Sequence, residues 1–388
     1  MDERSVVTTS LLVAARFPRQ CGIDEGPKYS DEAEDRKQGR AWITRVLTCS
    51  NINRVKEDLG VELQTFEDLK EKLAPYLCSS KLRYEDLDEV VGVFVHVLMK
   101  GGGFNSIKSK LGRSKSTISL YFWRCACAFF EKIYPEEICG LSEARGGHPH
   151  VTENPTFRWF GSVCGAGDGC LIPVQCYQED AARMRCRKGF TARNVFAVAD
   201  FNLYYLYCQP GGEGTANDPQ ILNKLLEDRL FSLSGNDRIL LDAIYRYRDN
   251  MLTPYRGVRY HLKEWENSRL RPCNYRELYN LRHAQLRSCI ERAFGYTKCK
   301  FRILQSPLPF HDHTKQILIL YCIFGLHNFI LRREGVQEQF IPSGGEDDED
   351  EPSEFDFVND EGTLRCEIAQ KLWTDYELYW ADQAQIPE

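Results

Sequence analysis

The fold of this chain is most constrained by acidic residues that recur at the ends of apolar segments. The run of small residues at 161–174 predicts a buried strand that reaches Asp168, and the apolar run before Asp242 predicts another. Between them, residues 194–201 and 203–209 are rich in β-branched and aromatic residues and predict two strands joined by a tight turn. The order predicts an α/β fold, a mixed sheet flanked by helices on which the acids converge.

A long helix is predicted at 277–304, where apolar residues recur every three or four positions. Glu291 lies beside this apolar stripe among basic side chains. Those basic residues are Arg282, Arg287, Arg292, Lys298, Lys300 and Arg302. Such a density of positive charge suits a phosphate backbone and leaves one carboxylate to hold a cation. The alternative is a solvated helix on which Arg287 and Glu291 pair one turn apart.

A further helix is predicted behind Asp218, because apolar residues at helical spacing follow a glycine-rich loop at 210–218. Together the acids predict a site for two divalent cations about 4 Å apart that activates water against a phosphodiester. Carboxylate oxygens suit Mg²⁺ or Mn²⁺. The predicted metal ligands are Asp168, Asp218, Asp242 and Glu291. Each acid also has a simpler explanation: Asp218 as the cap of its helix, for example, and Asp242 as a strand end at the surface.

The N-terminal third predicts helices. Residues 1–45 are polar and glycine-rich and are expected to be poorly ordered, whereas residues 46–135 carry apolar residues at helical spacing. A helix at 104–111, a turn at Gly112 and a second helix that opens at Ser114 form a helix-turn-helix pattern. The alternative is a pair of helices that only packs the core. The DNA contacts predicted at the exposed leading end of the second helix are Arg113, Lys115 and Ser116.

Charge is distributed unevenly along a chain whose formal net charge is −6. Residues 246–302 carry fourteen Lys or Arg against five Asp or Glu, whereas residues 346–361 carry ten acids and no base. This asymmetry predicts a basic body that binds DNA, an acidic disordered linker at 340–362 and a C-terminal helix at 363–388. The acidic run is either a solvated linker or a shield for the basic surface. Further predicted DNA contacts are Arg187, Lys188, Arg256, Arg259, Arg282, Arg287 and Arg292.

Cysteine usage and hydropathy argue against two classes of protein. The sixteen cysteines occur without a signal peptide and without a Cys-x-x-Cys pair, which predicts reduced thiols in an intracellular protein rather than a zinc ribbon. The apolar run at 317–326 is too short to span a bilayer and predicts a buried helix, so no membrane association is expected.

Six blocks of this sequence resemble, in the same order, those of the PIF/Harbinger transposases and their domesticated, nuclease-like relatives. The blocks are GAGDGCLIPV, RKGFTARNVFAVADFNLYYLY, GGEGTANDPQIL, LTPYRGVRYHL, NLRHAQLRSCIERAFG and FGLHNFI. The resemblance runs from about residue 66 to residue 330 and includes the helix-turn-helix pattern. It is specific, because six separate blocks would otherwise have to coincide.

The resemblance implies a ribonuclease-H-like core at 156–335, preceded by a small all-α helix-turn-helix domain. Such proteins cleave DNA at element ends by hydrolysis and join the freed 3′-hydroxyl to target DNA. In the family's Asp/Asp/Glu triad, Asp168 matches the first acid, Asp242 the second and Glu291 the last, while Asp218 matches a further acid. The resemblance also implies a separately encoded Myb/SANT-like partner that supplies DNA binding and import into the nucleus. The sequence leaves open whether part of the protein stays in the cytoplasm and whether it forms a homo-oligomer.

The chain departs from the family pattern at two places. Relatives have Asp-Gly-Thr-His after the first strand, where this chain has Asp168-Gly-Cys-Leu, and Asp-Ala-Gly-Tyr where it has Asp242-Ala-Ile-Tyr. All the acids remain. Two functions are therefore carried forward: a DDE-type nuclease or transposase, and a domesticated adaptor, catalytically weak or inactive, that binds DNA or chromatin.

Overall fold

Helices account for the N-terminal third of the protein. The computed structural model describes residues 33–51, 53–78, 87–138, 141, 147–233, 235–260, 262, 271–341 and 363–383. Residues 1–32 and 342–362, which hold most of the segments expected to be disordered, lie outside this description. The N-terminal helices are α1 Ala33–Leu47, α2 Asn53–Leu59, α3 Leu63–Leu77, α4 Leu87–Lys100, α5 Gly103–Leu111, α6 Lys115–Ala128 and, after a π-helical turn at Phe129–Ile133, α7 Tyr134–Glu137. Helix α1 was not predicted.

The predicted pair of helices around Gly112 corresponds to α5 and α6. Gly112 ends α5 in the left-handed conformation, and the side chain of Ser114 caps α6 by accepting a hydrogen bond from the amide of Thr117. The aromatic side chains of the pair, Phe122 among them, surround Phe310 at centroid distances of 5.2–6.3 Å. The pair therefore packs into the same core as the C-terminal part of the chain, and its contact with DNA stays a prediction.

Among the described residues, five strands form one mixed sheet. The strands are β1 Val163–Pro173, β2 Ala192–Ala199, β3 Tyr205–Glu213, β4 Arg238–Leu240 and β5 Met251–Leu252. Their order is β3-β2-β1-β4-β5. Strands β1, β2 and β3 are antiparallel neighbours, whereas β4 runs parallel to both β1 and β5. The predicted turn between β2 and β3 is closed by Asp200, which accepts hydrogen bonds from the amides of Asn202 and Tyr204.

The strand bounds differ from the prediction at two points. Asp168 lies in the middle of β1 rather than at its end, because the strand continues and pairs with β2 as far as Pro173. Residues 210–213, predicted as loop, belong to β3. Gly212 allows this pairing, since a Cβ there would lie 2.9 Å from the carbonyl oxygen of Asn194. A glycine needed for close strand contact was thus interpreted as a loop residue.

Helices cover both faces of the sheet, and side chains alternate between them along each strand. The helices after β1 are α9 Ala181–Met184, α10 Asp218–Glu227, α11 Tyr275–Lys300 and α12 His313–Glu334, and the short α8 Pro149–Thr152 precedes it. On one face, Ala166 and Leu240 join the core that contains α11 and α12. On the other, Phe196 and Leu241 pack with α10. This is a mixed α/β architecture consistent with a ribonuclease-H-like core.

Helix α12 is long and apolar enough to cross a membrane, yet 89 % of its most apolar 18-residue window is buried inside the protein. It contains the buried helix predicted at 317–326. Its polar residues are satisfied internally: the Asn328 amide accepts from the backbone of Tyr205 and donates to the carbonyls of Tyr205 and Glu137. The cysteines within the described ranges are free thiols, as predicted.

The predicted C-terminal helix forms as α13 Leu364–Gln383 and packs along α11. Arg365 anchors its first turn: the buried guanidinium donates to the carbonyls of Thr253 and Pro254 and lies over the rings of Tyr247 and Tyr255. Near its middle, Asp375 accepts hydrogen bonds from Arg158 and Trp159, each at 2.6 Å. The sequence left open whether this helix docks on the body; in the structure it does.

Candidate active site

The sheet brings Asp168 and Asp242 side by side. Strands β1 and β4 are parallel neighbours with Ala166 opposite Leu240, so Asp168 and Asp242 each lie two residues farther along, on the same face. Neighbouring strands are about 4.8 Å apart. Asp242 follows β4 by two residues, as predicted for an acid at a strand end. This shared face is the one covered by α11, the helix that carries Glu291.

Arg287 joins the acids of the strand and the helix. Its Nη1 donates to Asp168 Oδ2 at 2.8 Å, its Nη2 donates to Glu291 one turn along α11, and its Nε donates to the hydroxyl of Tyr260 at 2.8 Å. The side chain is 13 % exposed. The Arg287–Glu291 pair that was the alternative interpretation of this helix therefore exists, but it is part of the acidic cluster rather than of a solvated surface.

Asp218 approaches β1 from the helix on the other face. It is the first residue of α10 and does not cap it, because Asn217 and Gln220 form a capping box there. Its Oδ1 accepts a hydrogen bond from Asn194 Nδ2 at 2.5 Å. A Cβ at Gly169 would lie 2.0 Å from that same oxygen. Only glycine beside Asp168 allows Asp218 so close to the strand. Neither Gly169 nor Asn194 lies in a sequence pattern that predicts this contact.

The pKa of Asp168 reflects its burial and its charged neighbours. Burial is the largest influence on Asp168 and raises its pKa to about 7, with the Arg287 guanidinium opposing the rise and the carboxylates of Asp242 and Asp218 adding to it. Burial also lowers the pKa of His283 to about 3, so this neighbour of Asp242 and Arg287 is a neutral imidazole at pH 7. Asp242 and Asp218 are thus near enough to Asp168 to influence its ionisation.

Buried polar atoms surround the acids. Within the described ranges, Tyr245 Oη, Asn194 Oδ1 and His283 Nδ1 are buried and lack a hydrogen-bond partner. Tyr245 is 2 % exposed, and Asp218, Asp168 and Asp242 all act electrostatically on its hydroxyl. Oxygen donors, excess negative charge and unsatisfied polar atoms together fit a hard cation and its water.

The arrangement of the acids is nevertheless not that of a complete ligand set. No group of three or more His, Cys, Asp and Glu side chains is placed to hold a metal ion in the part of the chain that the structure describes. Arg287 separates Asp168 from Glu291, and Asp218 lies on the opposite face of β1. The donor chemistry therefore fits a divalent cation, while the positive charge between the first and last acids belongs to an arginine.

The predicted DNA contacts differ in their surroundings. Arg113, predicted on the exposed leading end of the second helix, is buried instead. It is 5 % exposed and donates from Nε and Nη2 to Glu89, itself 2 % exposed, at 2.6 and 2.7 Å. Arg259 pairs with Glu277 at 3.2 Å, and Arg282 donates to Gln285. Ser116 is half-buried beside Ser114. Arg287, also predicted as a DNA contact, is held by Asp168 and Glu291. The other predicted contacts have exposed side chains: Lys115, Arg187, Lys188, Arg256 and Arg292.

Comparison with known proteins bears on the same part of the chain. Neither the curated proteins nor the solved structures give a match. The family model described as DDE superfamily endonuclease matches residues 167–328, a stretch that contains Asp168, Asp218, Asp242 and Glu291. The match is to the superfamily, and the PIF/Harbinger assignment within it stays a prediction. By this match, the sheet and the helices that carry the four acids are similar to a DDE superfamily endonuclease.

Proposed function

We propose that this protein is a transposase-derived DNA endonuclease of the PIF/Harbinger type. The observation that carries the proposal is the parallel pairing of β1 with β4 beneath the helix of Glu291, in which Ala166 lies opposite Leu240 and each aspartate follows two residues later. The match to a DDE superfamily endonuclease over the same residues supports it. In this proposal β1, the end of β4 and α11 supply the three members of the predicted triad.

In this proposal the ligands of a divalent cation, Mg²⁺ or Mn²⁺, are Asp168, Asp242 and Glu291. Asp218 lies on the other face of β1, where its carboxylate accepts a hydrogen bond from Asn194. When bound, such a cation would supply the activation of water and the stabilisation of charge on a phosphodiester. The chain itself orients the acids through Arg287 and Tyr260 and keeps the imidazole of His283 neutral beside them.

Exposed basic side chains would bind the DNA that is cleaved at these acids. Arg187 and Lys188 lie in an exposed turn before β2, and Arg256 is anchored beside the site through the carbonyl of Ala243, the residue after Asp242. Arg292 is exposed next to Glu291 on α11. Guanidinium groups suit phosphate oxygens because they donate two parallel hydrogen bonds. DNA, a Myb/SANT-like partner and a nuclear location belong to the same proposal.

The two departures from the family pattern fit the fold without strain. The non-glycine residues with positive φ in the described ranges are Leu203 and Arg229, so Ile244 occupies an ordinary backbone conformation where relatives have glycine. Cys170 is buried beneath α11, where Lys298 hydrogen-bonds it. The fold therefore accommodates Ile244 and Cys170 without backbone strain. The second candidate, a DNA or chromatin adaptor without catalysis, is favoured by the arginine that neutralises two of the three acids.

A nicking assay separates the two candidates. Purified protein is incubated with supercoiled plasmid and Mn²⁺, and DNA affinity is measured in parallel at fixed salt. We expect Asp168→Asn and Glu291→Gln to abolish nicking while the dissociation constant for DNA changes less than about threefold, since removing a carboxylate costs no phosphate contact. Glu227→Gln, an exposed acid on α10, is the matched control. If wild type and both variants bind DNA equally and none nicks it, the adaptor function is the correct one.

A further inference from the structure

The guanidinium of Arg287 makes more hydrogen bonds inside the protein than that of an arginine that binds phosphate would. All three of its guanidinium nitrogens donate hydrogen bonds inside the protein, to Asp168, to Glu291 and to Tyr260. Tyr260 is 8 % exposed and lies in a segment between β5 and α11. The arginine thereby connects one strand, one helix and one connecting segment around a single positive charge.

The position of this charge conflicts with that of a divalent cation. Arg287 holds one oxygen of each carboxylate, Asp168 Oδ2 and Glu291 Oε1, and the other oxygen of Asp168 accepts from the amide of Gly169. Two positive charges a few ångströms apart in a partly buried site repel each other strongly, because the local dielectric constant is far below that of water. The guanidinium in this position therefore opposes a cation that binds these two acids together.

A second observation indicates that the cluster binds something besides Arg287. The hydroxyl of Tyr245 is buried and lacks a hydrogen-bond partner in the described part of the chain, and Asp218, Asp168 and Asp242 act on it electrostatically. Its ring packs in the core on the α10 side of the sheet, the side from which Asp218 approaches β1. Arg287 donates to none of its atoms in the bonds given above. A cation with its water would satisfy this hydroxyl, whereas the guanidinium leaves it unsatisfied.

We propose that Arg287 is an internal counter-ion that competes with the divalent cation for Asp168 and Glu291. This inference rests on the proposed function, because it concerns the cation of that same site. Arg287 holds the two acids together in the free protein and is displaced from them when the cation binds. Arg287 is therefore a residue that lowers the affinity for metal while it keeps the acids in position.

Calorimetric titration of Mn²⁺ into the full-length protein tests the competition. Arg287→Gln removes the charge and keeps a side chain of similar length, so we expect its Mn²⁺ affinity to rise by about tenfold or more, a change of about 1.4 kcal/mol. The matched control is Arg54→Gln, because Arg54 forms the same kind of pair one helical turn apart, with Asp58 at 2.7 Å, away from the site. Its Mn²⁺ affinity should equal that of wild type.

The outcomes separate this inference from the proposed function. If wild type binds Mn²⁺ and Arg287→Gln binds it equally or more weakly, the competition is refuted while the metal site stands. If neither protein binds Mn²⁺ at millimolar concentration, both the competition and the metal-dependent nuclease are refuted. If only Arg287→Gln binds, the competition is supported in its strongest form.

A second variant and a second readout guard against misfolding. Arg287→Lys keeps the charge but replaces the planar fork with a point charge that cannot bridge three partners, so its Mn²⁺ affinity should lie between those of wild type and Arg287→Gln. Thermal denaturation with and without Mn²⁺ gives an independent measure, because a ligand that binds only the folded state raises the midpoint. The Mn²⁺-induced rise should be larger for both variants than for wild type, and an equal or smaller rise would overturn the inference.

Discussion

Replacing Arg113 with methionine should destabilise the fold rather than weaken DNA binding directly. Arg113 and Glu89 are 5 % and 2 % exposed and share hydrogen bonds of 2.6 and 2.7 Å. Removing the guanidinium breaks both hydrogen bonds to the Glu89 carboxylate, which is too deeply buried for water to replace them. Breaking one side of a buried ion pair costs about 3–5 kcal/mol, so Arg113→Met should lower the free energy of unfolding by that amount.

Urea denaturation followed by circular dichroism measures this loss, and a double variant identifies its cause. Arg113→Met combined with Glu89→Leu replaces the whole pair by apolar side chains, and we expect it to recover most of the lost stability. Lys115→Gln is the matched comparison, because Lys115 is exposed two residues away and should change DNA affinity and its salt dependence but not stability. An Arg113→Met protein that unfolds within about 1 kcal/mol of wild type would refute the reasoning.

Two further predictions concern the sheet and the core. Gly169→Ala should lower the free energy of unfolding by about 2 kcal/mol, since its Cβ would displace the Asp218 carboxylate from Asn194. The double variant Gly169→Ala with Asp218→Ala should recover part of the lost stability. An unchanged urea midpoint for Gly169→Ala would contradict the 2.0 Å approach. Burial lowers the pKa of His327 to about 4 from the usual value of about 6.5, so the unfolded state binds the proton more tightly. The stability contributed by the neutral imidazole is present above pH 6.5 and is lost as the pH falls towards 4, by about 3 kcal/mol. Urea midpoints measured from pH 7 to pH 4 should fall less steeply for His327→Gln, and equal slopes would refute the assignment.

The sequence predicted those parts of the site that depend on local pattern. An apolar strand that leads to Asp242, a small-residue strand that reaches Asp168 and a helix that carries Glu291 are each predicted from the residues of one segment, and the structure contains all three, with β1 continuing beyond Asp168. Parallel pairing of β1 with β4 then brings Ala166 opposite Leu240, two residues before each aspartate. Periodicity was sufficient here because each element buries one face against a neighbour.

The parts that the sequence did not predict depend on distant partners. Arg113 belongs to a basic, helix-opening segment, and nothing within that segment indicates that Glu89 lies within reach of it in the core. Arg287 was assigned to DNA because its neighbours along α11 are basic, whereas its nearest carboxylate outside the helix comes from a strand 119 residues earlier. Gly169 resembled any other glycine until α10 brought Asp218 against it. Side-chain direction was the missing information in all three cases.

The helices outside the part of the chain that resembles an endonuclease have a consequence for how this protein could be divided or exchanged. Phe310 and α12 bury their apolar surfaces against α5 and α6, which precede that part, and Arg365 anchors α13, which follows it, to the carbonyls after β5. A piece limited to residues 167–328 would expose these surfaces to water. The part that matches an endonuclease is therefore smaller than the unit that buries these surfaces, and a transfer of this core to another protein would need its flanking helices as well.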